Sequence, residues 1–314
     1  MTLQYRLFVD ESGFSFPSAS TEEIESSLDQ FLTTLDSTKI HVDELCKWSQ
    51  IWYIQSADRK ELLILLNQKD GIDRDISRRV LRTLERIPDW DETIDSNDLS
   101  LGVKCDMNEI EIAPSIAACS ALMSERHVTA CITTSQTNRS GSVTVHCQNM
   151  NPINLRFIST ARDGNEYWRD VAKTESRNSD CLGNWSTKAF PRLIFAEGIW
   201  SQVKNFEGKF KDILPKLIGH LSGLNDHAEN IWEENVEPAQ IQARMRSIAG
   251  IDCSPDSPKT HKNRSAMTSR IVHFSTKELV CEWHTKLEPN RNRIHFCINE
   301  GQVYVGKFTK HLAT

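Results

Sequence analysis

Trp283-His284-Thr285-Lys286-Leu287 and Arg293-Ile294-His295-Phe296-Cys297-Ile298 alternate apolar with polar residues on either side of a short polar break. That period of two is the mark of half-buried strands. Paired as an antiparallel hairpin, they set Trp283 against Phe296, Thr285 against Ile294 and Cys281 against Ile298 on an apolar face. The same register sets His284 against His295 and Lys286 against Arg293 on the other face, within cross-strand reach. A second hairpin turning at Asn299-Glu300-Gly301 continues the apolar face with Ile298 against Val303 and Phe296 against Val305. It brings Gly306 beside His295, where a missing side chain leaves open space over the polar face.

Outward from these strands, predicted over 279–287, 293–298 and 302–308, the chain reads back through an irregular region around Ser254–Pro258. A helix is predicted from Asp212 through Leu224, with Pro215 tolerated in its first turn. Before it come a short helix over Glu197–Phe206 and a strand over Arg192–Ala196. The order is β-α-α-β-β-β. Further upstream, Tyr5–Val9 reads as a strand. A helix with Thr21 as N-cap buries Ile24, Leu28, Phe31, Leu32 and Leu35, and helices follow over 59–67 and 72–87. A loop over Asp89–Asn97, a strand over 107–112, a helix from Pro114 to Met123 and strands over 127–133, 142–147 and 154–159 complete the front. Trp48, Trp52, Trp90 and Tyr53 read as core. The fold class is therefore α+β: an acidic domain of helices followed by an antiparallel meander (1–175), a polar linker (176–189), and the β-α-α-β-β-β domain (190–314).

Composition is that of an ordinary globular protein, 39% apolar and 25% charged, with length enough for two cores. Apolar runs are too short to span a membrane and no secretory leader is apparent, which predicts a cytoplasmic protein. Nine cysteines occur singly with no C-x-x-C pair, so they read as reduced and mostly buried. Residues 190–314 carry 17 Lys+Arg against 14 Asp+Glu, and residues 1–189 carry 20 against 29. The tail is thus the half better suited to phosphate. No P-loop, dinucleotide fingerprint, G-x-S-x-G elbow or H-E-x-x-H run occurs, which argues against an ATPase, a dehydrogenase, a serine hydrolase and a zincin.

The tail resembles the RelE/ParE/HigB toxin superfamily. Pro191-Arg192-Leu193-Ile194-Phe195, the helix with Val203 and Phe206, and Leu214–Leu224 are similar to its opening strand and helical hairpin. Arg293-Ile294-His295-Phe296, Val303-Tyr304-Val305-Gly306 and the close at Lys310-His311-Leu312 look like its last two strands. The resemblance covers about 125 residues, rests on pattern and order, and departs from the family in a longer segment between second helix and second strand. It implies a twisted antiparallel sheet flanked by two helices, used by many members to cleave messenger RNA on the ribosome without a metal. Some members inhibit gyrase and others lack activity, so the fold alone does not fix the chemistry.

Metal-free RNA cleavage needs a base for the 2'-hydroxyl, a cation for the phosphorane and an acid for the leaving oxygen. His284, His295, Lys286 and Arg293 are the candidate catalytic set; Lys307, Lys310, His311 and Arg291 are candidate nucleic-acid contacts. The other reading of the same face is an ordinary solvated sheet surface. Cys281 and His284 are an odd number apart on a strand and face opposite ways, against a zinc site with His295 and Cys297. Asp10-Glu11-Ser12-Gly13 after a strand is similar to the first acidic strand end of RNase H-like nucleases, which use two metals. No spaced partner acids accompany it, and a strand-terminating turn is the competing reading. Arg74, Arg78, Arg79, Arg82 and Arg86 recur along one helix face, which either follows a phosphate backbone or is solvated and paired with the acidic loop after it. The expectation is a toxin-like or antiviral defence protein, as in toxin-antitoxin pairs, whose tail binds or cleaves RNA without metal or cofactor. The alternative is a non-enzymatic nucleic-acid- or partner-binding subunit of a multi-protein defence complex, with a partner from the same operon.

Overall fold

The computed structural model describes all residues except 1–4, 69–70, 92–101, 107, 111, 125–127, 149, 235–236, 276, 290 and 312–314. The chain divides into two compact units, Met1–Tyr167 and Trp168–Thr314, each mixing helix with strand. No helix among the described residues is long and apolar enough to cross a membrane.

The first unit runs β1 (Tyr5–Val9), α1 (Thr21–Ser37), β2 (Leu45–Cys46), α2 (Leu62–Asn67), α3 (Arg74–Arg86), β3 (Val103–Cys105), β4 (Asn108–Ile110), α4 (Pro114–Ser124), β5 (Val128–Ile132), β6 (Gly141–Cys147), β7 (Ile153–Ile158) and the start of α5 (Ala161–Glu175). Its seven strands form one sheet in the order β2-β1-β5-β7-β6-β3-β4. The expected antiparallel meander is only half of it. β2, β1, β5 and β7 are mutually parallel, and only β7-β6-β3-β4 are antiparallel. Leu7, Phe8 and Val9 on β1 and Ala130, Cys131 and Ile132 on β5 are fully buried. A strand covered on both faces loses the alternation that marks an antiparallel strand with one wet face. α1 opens with a capping box one residue earlier than expected: Glu23 N–H donates to Ser20 Oγ and Ser20 N–H to the Glu23 carboxylate, so Ser20 is the N-cap and not Thr21. Trp90 is buried in the core with Phe8 and Phe157. Tyr53 is exposed, against expectation. Of the acidic loop, residues 92–97 lie outside the described residues.

The second unit holds the rest of α5, then α6 (Ser179–Ala189), β8 (Leu193–Phe195), α7 (Phe210–Glu234), α8 (Pro238–Ile248), β9 (Cys253–Pro255), α9 (Pro258–Lys262), α10 (Arg264–Thr268), β10 (Ile271–Phe274), β11 (Lys277–Val280), β12 (Trp283–Glu288), β13 (Arg291–Asn299) and β14 (Gln302–Thr309). The stretch 176–189, expected as a linker, is mostly α6. Its polar composition hides a buried stripe of Leu182, Ser186 and Ala189. The predicted helix over 197–206 is a 3-10 turn, Ile199–Asn205. The sheet order is β8-β14-β13-β12-β9. β12 and β13 pair as expected, Trp283 with Phe296, His284 with His295 and Lys286 with Arg293. Trp232 of α7 meets Trp283 and Phe296 at 4.8 and 5.7 Å between ring centroids, which closes the apolar face.

Two details of the register differ from expectation. The predicted 279–287 strand breaks at Cys281-Glu282, so Cys281 does not pair with Ile298; instead its N–H bonds the Arg270 carbonyl. A bulge between His295 and Phe296 sets Lys307, not Gly306, opposite His295. Nor does Gly306 face open space: a Cβ there would overlap Cys281 Sγ and come within 2.9 Å of Val272. The described residues of the segment 256–282 cover the face that alternation alone leaves in water, with Val272 and Cys281 against Gly306 and the Ser269 carbonyl accepting from Lys307. Eight of the nine cysteines are buried, and all are free.

Candidate functional site

The cross-strand histidines meet at 5.2 Å between ring centroids. They do so in the interior, with His284 5% and His295 1% exposed. Burial, then the Arg293 charge, pushes the His284 pKa down to about 4. Burial, then His284, pushes His295 well below its ordinary value. Neither ring nitrogen of His295 makes a hydrogen bond of normal geometry, and His284 Nε2 lies 3.4 Å from Ser254 Oγ. Both are neutral at neutral pH and closed to a substrate. The expected exposed acid-base pair is therefore a packed one, beneath the bidentate Arg270–Asp256 ion pair that seals the segment above it.

Most of the remaining basic candidates are engaged by neighbours. Lys286 lies 3.6 Å from Asp252, and burial lowers the pKa of Arg293. Lys307 donates to the Ser269 carbonyl at 2.6 Å. Arg291 and Lys310 converge on Glu207, at 3.2 and 2.7 Å, which cancels much of their field. His311 is exposed just past the end of β14. The eight do not form one surface.

A denser constellation stands at the carboxyl ends of the parallel strands in the first unit. β1 leads through α1 to β2 on one side, while β5 lies on its other side, making β1/β5 the point where strand order reverses. Open parallel sheets bind ligands at such a place. Asp10 and Glu11 leave β1 there. Asp10 is fully buried and accepts four hydrogen bonds: Ser12 N–H at 3.1 Å, Ser12 Oγ at 2.6 Å, Thr133 Oγ1 at 2.8 Å and Arg139 Nη2 at 2.6 Å. Burial opposes the charge of Arg139, but Asp10 more than compensates, so the guanidinium pKa is raised. Arg139 also donates to Ser12 Oγ and lies over the Phe157 ring at 5.4 Å. Its loop is fixed by Asn138 in the left-handed region (φ 53°) and by Ser140 Oγ donating to Asp163 at 2.9 Å. Gly13 is required by close approach, since a Cβ would lie 2.7 Å from Thr133 Oγ1.

Glu11 turns inward. Oε1 accepts the Ser115 N–H of α4 at 2.9 Å, Trp90 Nε1 donates to Ser115 Oγ at 2.9 Å, and Oε2 has no partner. Burial, then the neighbouring Asp10, raises its pKa to about 8, so it is a neutral acid at pH 7. These two carboxyls do not suit the two-metal chemistry of the RNase H-like resemblance: one is saturated by hydrogen bonds and the other buried and protonated. Among the described residues no three His, Cys, Asp or Glu side chains gather for a metal ion.

Above Ser12 and Arg139 opens a cleft of ≈ 450 Å³, also lined by Ile54, Gln55, Glu109, Ile110, Gln136 and Thr137. It combines an isoleucine wall with hydroxyl and amide groups, one carboxylate and one guanidinium, the mixture of small-molecule sites. Arg139 and Glu109 were not legible as site residues. Arg139 sits in a turn sequence, and only the parallel pairing of β1 with β5 carries it to Asp10. No family model, curated protein or solved structure matches the chain.

Proposed function

We propose that the protein is a ligand-binding, non-enzymatic subunit of a multi-protein defence assembly. Its first unit takes a mononucleotide-sized ligand in the β1/β5 cleft, and its RelE-like second unit serves as a scaffold. The observation that carries the reading is Arg139, fixed by a buried carboxylate and a serine at the wall of a cleft of the right volume. There it is oriented before a phosphate arrives, which lowers the ordering cost of binding. The isoleucines offer a surface for a base, and Glu109, Gln55 and Gln136 offer partners for its edge or for sugar hydroxyls. The scaffold role is supported by the burial of His284 and His295.

The test is calorimetry and thermal shift on the full chain with nucleosides, mononucleotides and inorganic phosphate. Mononucleotides should bind saturably and raise Tm, nucleosides more weakly, and Gln136→Trp, at an exposed cleft position, should abolish the effect without lowering Tm. Binding by no member of the panel, or binding that survives Gln136→Trp, refutes the cleft. RNA cleavage lost on substituting His284 or His295 in a folded variant refutes the scaffold.

A further inference from the structure

The arginines of α3 stand outside the cleft and outside the second unit. Arg74, Arg78, Arg82 and Arg86 recur every four residues, all exposed, along about 18 Å of helix at 1.5 Å rise per residue. The helix can carry this row because its opposite stripe, Ser77, Val80 and Leu84, is buried, and because Asp73 caps its first turn by accepting from Asp75 N and Ile76 N. Arg79, off the row, is paired with Asp29 at 3.1 Å. The four in the row have no carboxylate within ion-pair distance among the described residues, although Asp75 and Glu85 share the helix. Of the acids in the loop after the helix, Asp89 pairs with Lys47 and Asp91 accepts from Ser49, while Glu92 and Asp95 lie outside the described residues. A groove of ≈ 510 Å³ lined by Leu66, Ile72, Ser77 and Leu81 runs beside Arg74 and Arg78.

Four like charges in line on a rigid element raise the local potential at each other's expense, and a ligand bearing a matching row of negative charges relieves it. We propose that this face of α3 is the docking surface for the phosphate backbone of a nucleic acid. Guanidinium forks grip phosphate oxygens with paired hydrogen bonds. Among the described residues the groove has no aromatic ring on which a base could stack, so contact is to the backbone and insensitive to sequence.

Fluorescence anisotropy of the full chain with labelled RNA and DNA, single-stranded and duplex, across a salt series tests this. A fourfold Arg→Gln variant at 74, 78, 82 and 86 keeps helix propensity and should melt with the wild type. It should bind at least about tenfold more weakly at low salt, with the log–log salt slope reduced by roughly 0.7–0.9 per arginine that contacts a phosphate. The mononucleotide response of the cleft should be unchanged, which separates this surface from that site. No binding by the wild type at low salt overturns the proposal, as does an unchanged slope in the variant or equal affinity for a polyglutamate peptide.

Discussion

Each unit buries a pair of neighbouring titratable side chains, Asp10 and Glu11 in the first and His284 and His295 in the second, but the two interiors treat them differently. Asp10 is saturated by hydrogen bonds from Arg139, Thr133 and Ser12. The histidines have no comparable partners and are held neutral, as packing. The difference separates a side chain that is fully partnered beside a cleft from a pair that is packed without such partners. Residue identity alone does not tell them apart, since paired histidines look more like a catalytic set than a lone Asp-Glu does.

The sharpest way to break the comparison is to remove the partner. Arg139→Ala leaves Asp10 buried without its ion-pair partner, and should cost about 3–5 kcal/mol in urea unfolding. Arg270→Ala, which strands Asp256 in the second unit, should cost a similar amount. His295→Leu removes no partner of a charge and should be near neutral at pH 7. If Arg139→Ala is as mild as His295→Leu, the Arg139–Asp10 ion pair does not support the first unit and the contrast fails.

The next effects are pH dependences of opposite sign. Glu11 has a folded pKa of about 8 against an ordinary 4.5. Its folded state therefore holds a proton that the unfolded state releases, and stability falls as pH rises from 4.5 through 8. Glu11→Gln mimics the neutral acid and should remove that decline, worth on the order of 1.4 kcal/mol per pKa unit at its limit. For His284 the folded pKa of about 4 lies below the ordinary 6.5. Stability is present above 6.5 and is lost as pH falls toward 4, because the unfolded state takes up the proton first. Burial depresses His295 and His220 in the same direction. Replacing His284 and His295 together with Leu should make the acid limb shallower, with His220 accounting for what remains, and leave the alkaline limb alone. Chemical unfolding midpoints from pH 4.5 to 8.5 for wild type and both variants decide it, and an unchanged alkaline limb in Glu11→Gln would sink the assignment of Glu11.

Local pattern reached much of this fold. The hairpin register, α1 with its buried stripe, and α4 from Pro114 all follow from periodicity, capping and breaker residues within a dozen positions. What local pattern could not reach was the partner of each element. β1 and β5 are separated by more than a hundred residues, and nothing in Tyr5–Val9 names Val128–Ile132 as its neighbour, so the parallel sheet and its switch point stayed hidden. The same limit misplaced the histidines: alternation gives the side of the sheet they occupy, not that Asp256–Glu282 folds over it. The Asp10-Glu11-Ser12-Gly13 turn was legible as a feature, but Arg139, which gives it a role, arrives through long-range pairing.

The smallest expected effect concerns the basic residues of the second unit. Lys286 and Asp252 are 3.6 Å apart, with about a third of each or more in water. Solvent and salt screen such a pair, and holding two side chains in place offsets much of the attraction, so Lys286→Ala should cost no more than about 1 kcal/mol. It should also leave nucleic-acid affinity and its salt slope at wild-type values, because Asp252 already answers the charge and the arginine row without an ion pair among the described residues lies on α3. The measurement is the same salt titration, run beside the fourfold α3 variant. A slope reduced by Lys286→Ala, with the α3 variant unaffected, would return nucleic-acid binding to the second unit.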